Sequence, residues 1–254
     1  ADNKMRIGLF GKERDSWTLI GRYVFLDPIN SFCFDEHSTK LYSITSRELF
    51  IFDISNEDNK NNENEFKDYQ LLKIHTEEIE NDCNLNKIIC YPGEDQERKV
   101  LVANDQYKLR ILQFTQPQNQ GNQLKVIKTS LGPCFGGPII NMKELREKDK
   151  DKDKKLIAFT TKEKIMGLML LPLDGNPYRY MGVIAHPGNI KDMKPSQMSN
   201  YIFTTGGNDF TINIWKYNPD PLVSTVNLGG DGIKPFLQLL EGGETGNKYK
   251  EMTD

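Results

Sequence analysis

The feature that most constrains the fold is a series of short apolar segments separated by turn residues, seen most clearly over residues 178–217. Pro187-Gly188 and the run Gly206–Asp209 are typical turn sequences that interrupt these segments. Short strands with turn signals between them indicate an all-β fold. The predicted strands in this region are Tyr180–His186, Ile190–Met193, Tyr201–Thr205 and Thr211–Tyr217.

The same outline recurs along the upstream sequence. The third strand of each unit begins near Met5, Leu49, Leu109, Ile165 and Ile212. The intervals between these starts are 44, 60, 56 and 47 residues. Three of the four exceed the roughly 40–45 residues of a WD repeat, so the excess must lie in loops. Two polar insertions, Asn56–Glu65 and Arg146–Lys155, fit this explanation. The pattern predicts an all-β, WD-repeat β-propeller with long polar loop insertions.

The first unit is incomplete. It offers only two predicted strands, Lys4–Phe10 and Trp17–Phe25, with no inner strands before them. The chain then holds about four and a half blades. Closed propellers typically have about 4–8 complete blades, so the half blade indicates that part of the ring is missing. We therefore expect a partial propeller over residues 1–228. Residues 229–254 are predicted to form a C-terminal linker or tail with a short helix at Pro235–Glu241.

Four residues of the last unit suggest a hydrogen-bonded constellation. His186 follows the outer strand, Thr205 ends the middle strand, Asp209 lies in the turn and Trp215 in the next strand. A Trp buried between strands needs an acceptor for its N–H, and a buried His and Thr need partners as well. Such residues form a chain from Asp through His and Thr to Trp in WD repeats.

A catalytic group made of His186, Asp209 and Thr205 is the alternative interpretation of these residues. The sequence contains no nucleophile elbow of the G-x-S-x-G type, and the spacing is that of a blade. We therefore predict a structural role for the four residues, no catalytic residues and no enzymatic activity.

The segments MGVIAHPGNIKDM and YIFTTGGNDFTINIW resemble the last repeat of an axonemal, cilia- and flagella-associated WD-repeat family. That family belongs to the calmodulin- and spoke-associated complex at the base of radial spoke 3. The segment GGDGIKPFLQLLEGG, Gly229–Gly243, resembles the family's link out of its propeller. The detailed resemblance covers about the last third of the chain. Upstream repeats depart from the pattern, with Phe52 and Phe114 where Trp is usual.

The resemblance implies a non-enzymatic protein-docking scaffold in the cytoskeleton of the cilium or flagellum that supports motility. The implied partners are other radial-spoke-base proteins and calmodulin, with indirect attachment to the microtubule doublet. The alternative is a WD-repeat scaffold of another cytosolic assembly, of the transport or ubiquitin-ligase type. The family also implies a C-terminal calcium-binding-like segment, and no residues of this chain are assigned to it.

Composition argues against several other classes. The net charge of -3 gives no basic footprint for nucleic acid. The longest apolar run, Ile165–Leu173, is far shorter than the roughly 20 residues of a membrane span. The four cysteines have no C-x-x-C spacing, which predicts reduced thiols in the cytoplasm and no metal site.

An aspartate-rich segment also has a plain explanation. Asp149, Asp151 and Asp153 resemble the start of a calcium loop, but Lys154 and Thr160 stand where that loop needs Gly and Glu. We expect a solvated mixed-charge loop there, and no metal or cofactor anywhere in the chain.

Overall fold

The computed structural model describes residues 6–13, 16–35, 37–54, 71–75, 83–91, 98–115, 123–133, 135–145, 155–173, 175, 180–197 and 201–224. These residues form seventeen strands and one short helix, α1, over 220–224. The strands are β1 (Arg6–Glu13), β2 (Ser16–Val24), β3 (Ser31–Phe34), β4 (Lys40–Ile44), β5 (Glu48–Asp53), β6 (Leu71–His75), β7 (Leu85–Cys90), β8 (Arg98–Asn104), β9 (Lys108–Thr115), β10 (Gln123–Leu131), β11 (Ile139–Leu145), β12 (Lys155–Thr161), β13 (Ile165–Leu171), β14 (Tyr180–Ile184), β15 (Ile190–Pro195), β16 (Tyr201–Gly206) and β17 (Ile212–Lys216).

Consecutive strands pair antiparallel into five sheets. Sheet I is the hairpin β1–β2, and sheets II, III and IV each contain four strands, β3–β6, β7–β10 and β11–β14. Sheet V contains the three strands β15–β17 in the described part of the chain. The all-β prediction is confirmed, and each predicted strand corresponds to an observed one. The two strands expected in the incomplete first unit are the two strands of sheet I.

The sequence patterns place Tyr180–His186 in two units. The pattern over residues 178–217 makes it the first strand of the last unit, whereas the upstream pattern makes it the fourth strand after Pro138–Met142, Leu156–Thr161 and Lys164–Leu171. In the structure this strand is β14, and it pairs with β13, with Tyr180 opposite Met169. It is therefore the outer strand of sheet IV, and the Pro187-Gly188 turn connects one sheet to the next.

Most sheets are buried on both faces, because each packs between two neighbours. β12 shows this directly: six consecutive residues from Leu156 to Thr161 are buried. Leu156 and Ala158 pack toward sheet V, whereas Ile157 and Phe159 pack toward sheet III. Side chains of a strand alternate between faces, so a nearly continuous apolar run is needed to supply both cores.

The cores lie between successive sheets. Phe25 packs edge-on against aromatic rings of sheet II, and its ring centroid lies 4.8 Å from that of Phe50. The core between II and III includes Tyr42, Ile44, Leu49, Ile51, Ile88, Val100 and Val102. The core between III and IV includes Leu101, Leu109, Ile111, Met142, Ile157, Phe159 and Met169. The core between IV and V includes Leu156, Ala158, Met166, Ile190, Met193, Ile202 and Leu222 of α1.

Asparagine side chains connect the first strands of successive sheets. Each donates a hydrogen bond from its Nδ2 to an oxygen on or beside the next first strand, which fixes how the sheets lie against each other. The bonds are Asn30 to Leu85 O at 2.7 Å, Asn86 to Ile139 O at 3.3 Å, and Asn141 to Asp192 Oδ1 at 2.8 Å.

The middle hairpins of sheets III, IV and V share a backbone feature. Tyr107, Lys164 and Phe210 have φ of 62°, 75° and 53°. Each lies two residues before the first paired residue of the following strand, namely Leu109, Met166 and Ile212. A non-glycine residue in the left-handed region is uncommon. It recurs two residues before the first paired residue in all three hairpins, so these hairpins end in the same way.

Several sequence predictions lie outside the described residues. These are the insertion Asn56–Glu65, the linker or tail over residues 229–254, the helix at Pro235–Glu241, and all of the insertion Arg146–Lys155 except Lys155, which begins β12. The observed helix α1 is a different segment, and its Leu222 is fully buried against sheets IV and V.

Candidate functional site

The candidate site lies where sheet IV meets sheet V. The chain leaves β14, and His186 follows two residues later, with 1% of its surface exposed. The turn between β16 and β17 brings Asp209 to one side of the imidazole, and β16 brings Thr204 to the other side. The site therefore connects the end of one sheet to two strands of the next.

The imidazole of His186 is held at both nitrogens. Its Nδ1 lies 2.8 Å from Asp209 Oδ2, and its Nε2 lies 2.8 Å from Thr204 Oγ1. Trp215 Nε1 donates to the same Thr204 Oγ1, also at 2.8 Å. These contacts form one chain, Asp209–His186–Thr204–Trp215, which we call the tetrad.

The direction of each hydrogen bond follows from what each group can donate. An ionised carboxylate only accepts, so His186 donates its Nδ1–H to Asp209. The Nε2 of a neutral imidazole is then an acceptor, and the Thr204 hydroxyl donates to it. The Thr204 oxygen retains lone pairs to accept the indole N–H of Trp215. Every polar group along the chain has a partner, as buried polar groups require.

Thr205 was predicted for the hydroxyl position, and this prediction was wrong. Adjacent residues of a strand point to opposite faces, so a shift of one residue moves the side chain to the other side of the sheet. Thr204 shares its face with the buried Ile202 and faces sheet IV. Thr205 is half-exposed on the other face. The structure brings the other three predicted residues, His186, Asp209 and Trp215, together.

Three further residues support the tetrad and were missed from the sequence. Asn213 donates from Nδ2 to Ala185 O at 2.8 Å, and Thr211 Oγ1 lies 3.2 Å from His186 Nδ1. A Cβ at Gly206 would collide with the Asp209 carboxylate. The sequence signal for Asn213 and Thr211 was the alternation over Thr211–Trp215. In this segment Thr, Asn and Trp lie on one face of the strand, and two Ile residues lie on the other.

The environment of Asp209 favours its ionised form. Partial desolvation works to raise the pKa of this carboxyl, but hydrogen bonds from His186 and Thr211 outweigh it, and the pKa lies below its ordinary value. The folded state thus binds the proton of Asp209 less readily than the unfolded chain does. This part of the stability is present above the unfolded pKa, about 3.9 for Asp, and is lost as the pH falls through the folded pKa.

We therefore expect the stability difference between wild type and Asp209→Asn to shrink on acidification. It will be constant near neutral pH and will decline below about pH 5 as the wild-type carboxylate is protonated. Melting temperatures of both proteins between neutral and acidic pH measure this, with Asp27→Asn at an exposed position as the control. A difference that stays constant down to the acid limit would contradict the assignment.

The two adjacent threonines offer a matched test of the corrected position. Thr204→Val leaves both the indole N–H of Trp215 and the His186 Nε2 without a partner, which costs about 1–3 kcal/mol of unfolding free energy. Thr205→Val removes an equal hydroxyl on the opposite face and should change stability by less than about 0.5 kcal/mol. Denaturant unfolding compares the two variants. Equal losses, or a larger loss for Thr205→Val, would show that the tetrad is wrongly assigned.

The tetrad has the acid, base and hydroxyl order of a hydrolase triad, but its geometry does not suit catalysis. Thr204 is completely buried, so its hydroxyl offers a substrate no approach. That oxygen also already accepts the Trp215 N–H. A nucleophile must reach the reacting atom within a few ångströms. The arrangement is suited to holding two sheets together.

The thiol of Cys33 is poorly suited to nucleophilic chemistry. Burial raises the pKa of the Cys33 thiol far above its usual range, with a further contribution from nearby Cys90. The thiolate is the reactive form of cysteine, so Cys33 is a poor nucleophile. Among the described residues, Cys33, Cys83 and Cys90 form no disulfide bond. Among the described residues, no group of His, Cys, Asp and Glu side chains is placed to hold a metal ion.

Comparison with known proteins identifies the relatives of the chain. No protein-family model matches the sequence. Cilia- and flagella-associated protein 251 of Tetrahymena thermophila is 30% identical over 93% of this chain. The mouse protein of the same name is 34% identical over 66% of it. The chain belongs to the cilia- and flagella-associated protein 251 family. This confirms the family resemblance seen in the last repeat.

Family membership also gives the cellular location. The chain is a protein of cilia or flagella, as predicted. The chain spans only 25% of the length of the Tetrahymena relative and 12% of the length of the mouse relative. In the part of the chain that the structure describes, no helix has the length and apolar character to cross a membrane.

Solved structures with a similar fold include one of very different sequence. A functionally unknown protein from Desulfotomaculum acetoxidans superposes with a TM-score of 0.55 at 9% identity, over 86% of this chain and 61% of its own. At this identity the likeness concerns the fold alone. It shows that a stack of antiparallel sheets of this kind occurs in a protein of unrelated sequence.

Proposed function

We propose that the chain is part of a WD-repeat β-propeller that serves as a non-enzymatic docking scaffold of the axoneme. The tetrad carries this proposal, because it joins consecutive sheets through the buried His186 and Thr204 and keeps the Thr204 hydroxyl away from solvent. The repeated hairpin residues Tyr107, Lys164 and Phe210 support the repeat. Membership of a cilia- and flagella-associated family supports the axonemal setting.

A docking scaffold needs a well-packed platform with exposed turns, and the described residues provide both. Sheets II, III and IV share cores on both faces, while the turns carry exposed groups such as Phe210, which is almost fully exposed. Large apolar side chains at exposed loop positions are suited to protein contacts. The partners we propose are other proteins of the radial-spoke base, at spoke 3 of the calmodulin- and spoke-associated complex, and calmodulin.

Attachment to the microtubule doublet is proposed to be indirect. The net charge of -3 gives the chain no general attraction to the acidic surface of the microtubule, and charges are screened beyond about 8 Å at physiological salt. Attachment to the doublet then requires contacts of complementary shape, made through other spoke-base proteins. Purified full-length protein should not co-sediment tightly with bare microtubules at physiological salt.

The proposal is tested on the full-length protein carrying an epitope tag in ciliated cells. The protein should stay with axonemes after detergent extraction, and proximity labelling should mark radial-spoke-base proteins in preference to other axonemal proteins. A His37→Ala version, altered at an exposed turn, serves as the control for tagging and substitution. A protein that is fully extracted by detergent, or that labels a transport or ubiquitin-ligase assembly, would overturn the proposal.

A further inference from the structure

Side chains from the first strands of four sheets come together around Lys87. Its strand, β7, contacts both β3 and β11, and β11 contacts β15, so the four first strands lie next to one another. The electrostatic neighbours of Lys87 are Cys33 on β3, Lys143 on β11 and Asp192 on β15. Sheets II, III, IV and V therefore each place one of these side chains near the same ammonium group. We call the group formed by Lys87, Lys143 and Asp192 the rim site.

The rim site holds two cations and a single anion. Lys87 is half-buried and Lys143 is exposed. In the described part of the chain, neither ammonium group makes a hydrogen bond or a salt bridge. Asp192 accepts hydrogen bonds at Oδ1 from Asn141 Nδ2 and from the backbone amide of Met193, both at 2.8 Å. One carboxylate, already hydrogen-bonded to its own neighbours, thus serves two lysines.

The surroundings of Lys87 disfavour its charged form. Partial burial is the main cause that lowers the pKa of Lys87, and repulsion by Lys143 adds to it, whereas Asp192 acts in the opposite direction without offsetting them. Glu144, the other acidic residue on these first strands, lies on the opposite face of β11 from Lys143. An opposite charge close to a half-buried ammonium group favours its charged form. A further carboxylate between the two lysines would compensate for both the lost hydration and the repulsion.

We infer that the rim site binds an acidic segment of a partner protein, with a carboxylate of that segment between Lys87 and Lys143. The inference rests on the proposed docking function and gives the chemistry of one partner. Two observations favour a peptide over a small anion. Lys143 is exposed, and salt screens the attraction between exposed charges and a small ion. Each first strand is also the terminal strand of its sheet, so its outer edge offers backbone groups with which an extended peptide can pair.

Binding of a fluorescein-labelled hexaglutamate peptide to the purified full-length protein, followed by fluorescence anisotropy, tests the inference. The wild type should bind the peptide, and Lys87→Gln combined with Lys143→Gln should weaken the affinity at least about tenfold. Lys162→Gln combined with Lys164→Gln is the matched control, because it removes the same charge from the exposed turn between β12 and β13. This control should change the affinity by less than about twofold.

A second variant guards against a folding defect in the first. Lys143→Gln alone alters only an exposed side chain and should still weaken binding at least about threefold. Lys87→Arg combined with Lys143→Arg keeps both charges and should retain the binding seen in the wild type. Circular dichroism melts of all variants identify those that are folded, and affinities are compared among these.

Three results would overturn the inference. They are no binding of hexaglutamate by the wild type, equal losses in the rim and turn variants, and competition by inorganic phosphate at the same concentration as unlabelled hexaglutamate, which would indicate a small-anion site. The measurement uses purified protein, so its failure leaves the detergent-extraction and proximity-labelling test of the axonemal role unaffected. A protein that failed the axonemal test would still show whether the rim site takes an acidic peptide.

Discussion

Replacing His186 with alanine is expected to lower the free energy of unfolding by about 2–4 kcal/mol. The imidazole is completely buried and bonded at both nitrogens. Its removal leaves a cavity between sheets IV and V and takes a partner from the Thr204 hydroxyl and from the Asp209 carboxylate. Since both sheets use this contact, the loss concerns the interface and not one strand alone.

The measurement is denaturant unfolding of the full-length protein, followed by circular dichroism. His37 provides the matched control, because it lies exposed in the turn between β3 and β4. His37→Ala should change the unfolding free energy by less than about 0.5 kcal/mol. If the two histidine variants lost equal stability, His186 would not be the centre of a buried network.

Trp215→Ala is the second large effect, with an expected loss of about 2–3 kcal/mol. Burial of a whole indole would give more, but Trp215 is half-buried, so part of its surface remains in water in the folded protein. The loss combines apolar contact with the core between sheets IV and V and the hydrogen bond to Thr204. Trp215→Phe keeps most of the contact and should cost about 1 kcal/mol for the missing donor.

The chain contains a second tryptophan that controls for this change. Trp17, on β2, is 67% exposed, and Trp17→Ala should cost less than half as much as Trp215→Ala. Denaturant unfolding followed by circular dichroism compares the two variants with the wild type. A Trp215→Ala protein that unfolds at the wild-type denaturant concentration would remove Trp215 from the network.

The sequence predicted the strands well because their signals are local. Alternating apolar residues and turn residues such as Pro187-Gly188 depend on neighbours only a few positions away. The grouping of strands into sheets was harder to predict from the sequence. β14 precedes a clear turn whether it is grouped with sheet IV or with sheet V. Its hydrogen bonds to β13 decide that it belongs to sheet IV, and no local pattern shows them.

The candidate site was predicted to within one residue. His186, Asp209 and Trp215 are single distinctive residues, whereas Thr204 and Thr205 are adjacent and chemically identical. Only the face of the strand separates the two threonines, and that depends on how β16 pairs with β17. The asparagine contacts between first strands, such as Asn30 with Leu85, join residues far apart in sequence and have no signal in either segment.

Burial of sheets II, III and IV on both faces has a consequence for shortened forms of the protein. A chain ending after sheet III would leave Leu101, Leu109 and Ile111 without sheet IV, and would present a broad apolar surface to water. Such surfaces promote aggregation and capture by quality control. Premature termination within this region should therefore lower the abundance of the protein in the cell to near zero. An array of independently folding domains would behave differently, because its truncation would leave a smaller working scaffold.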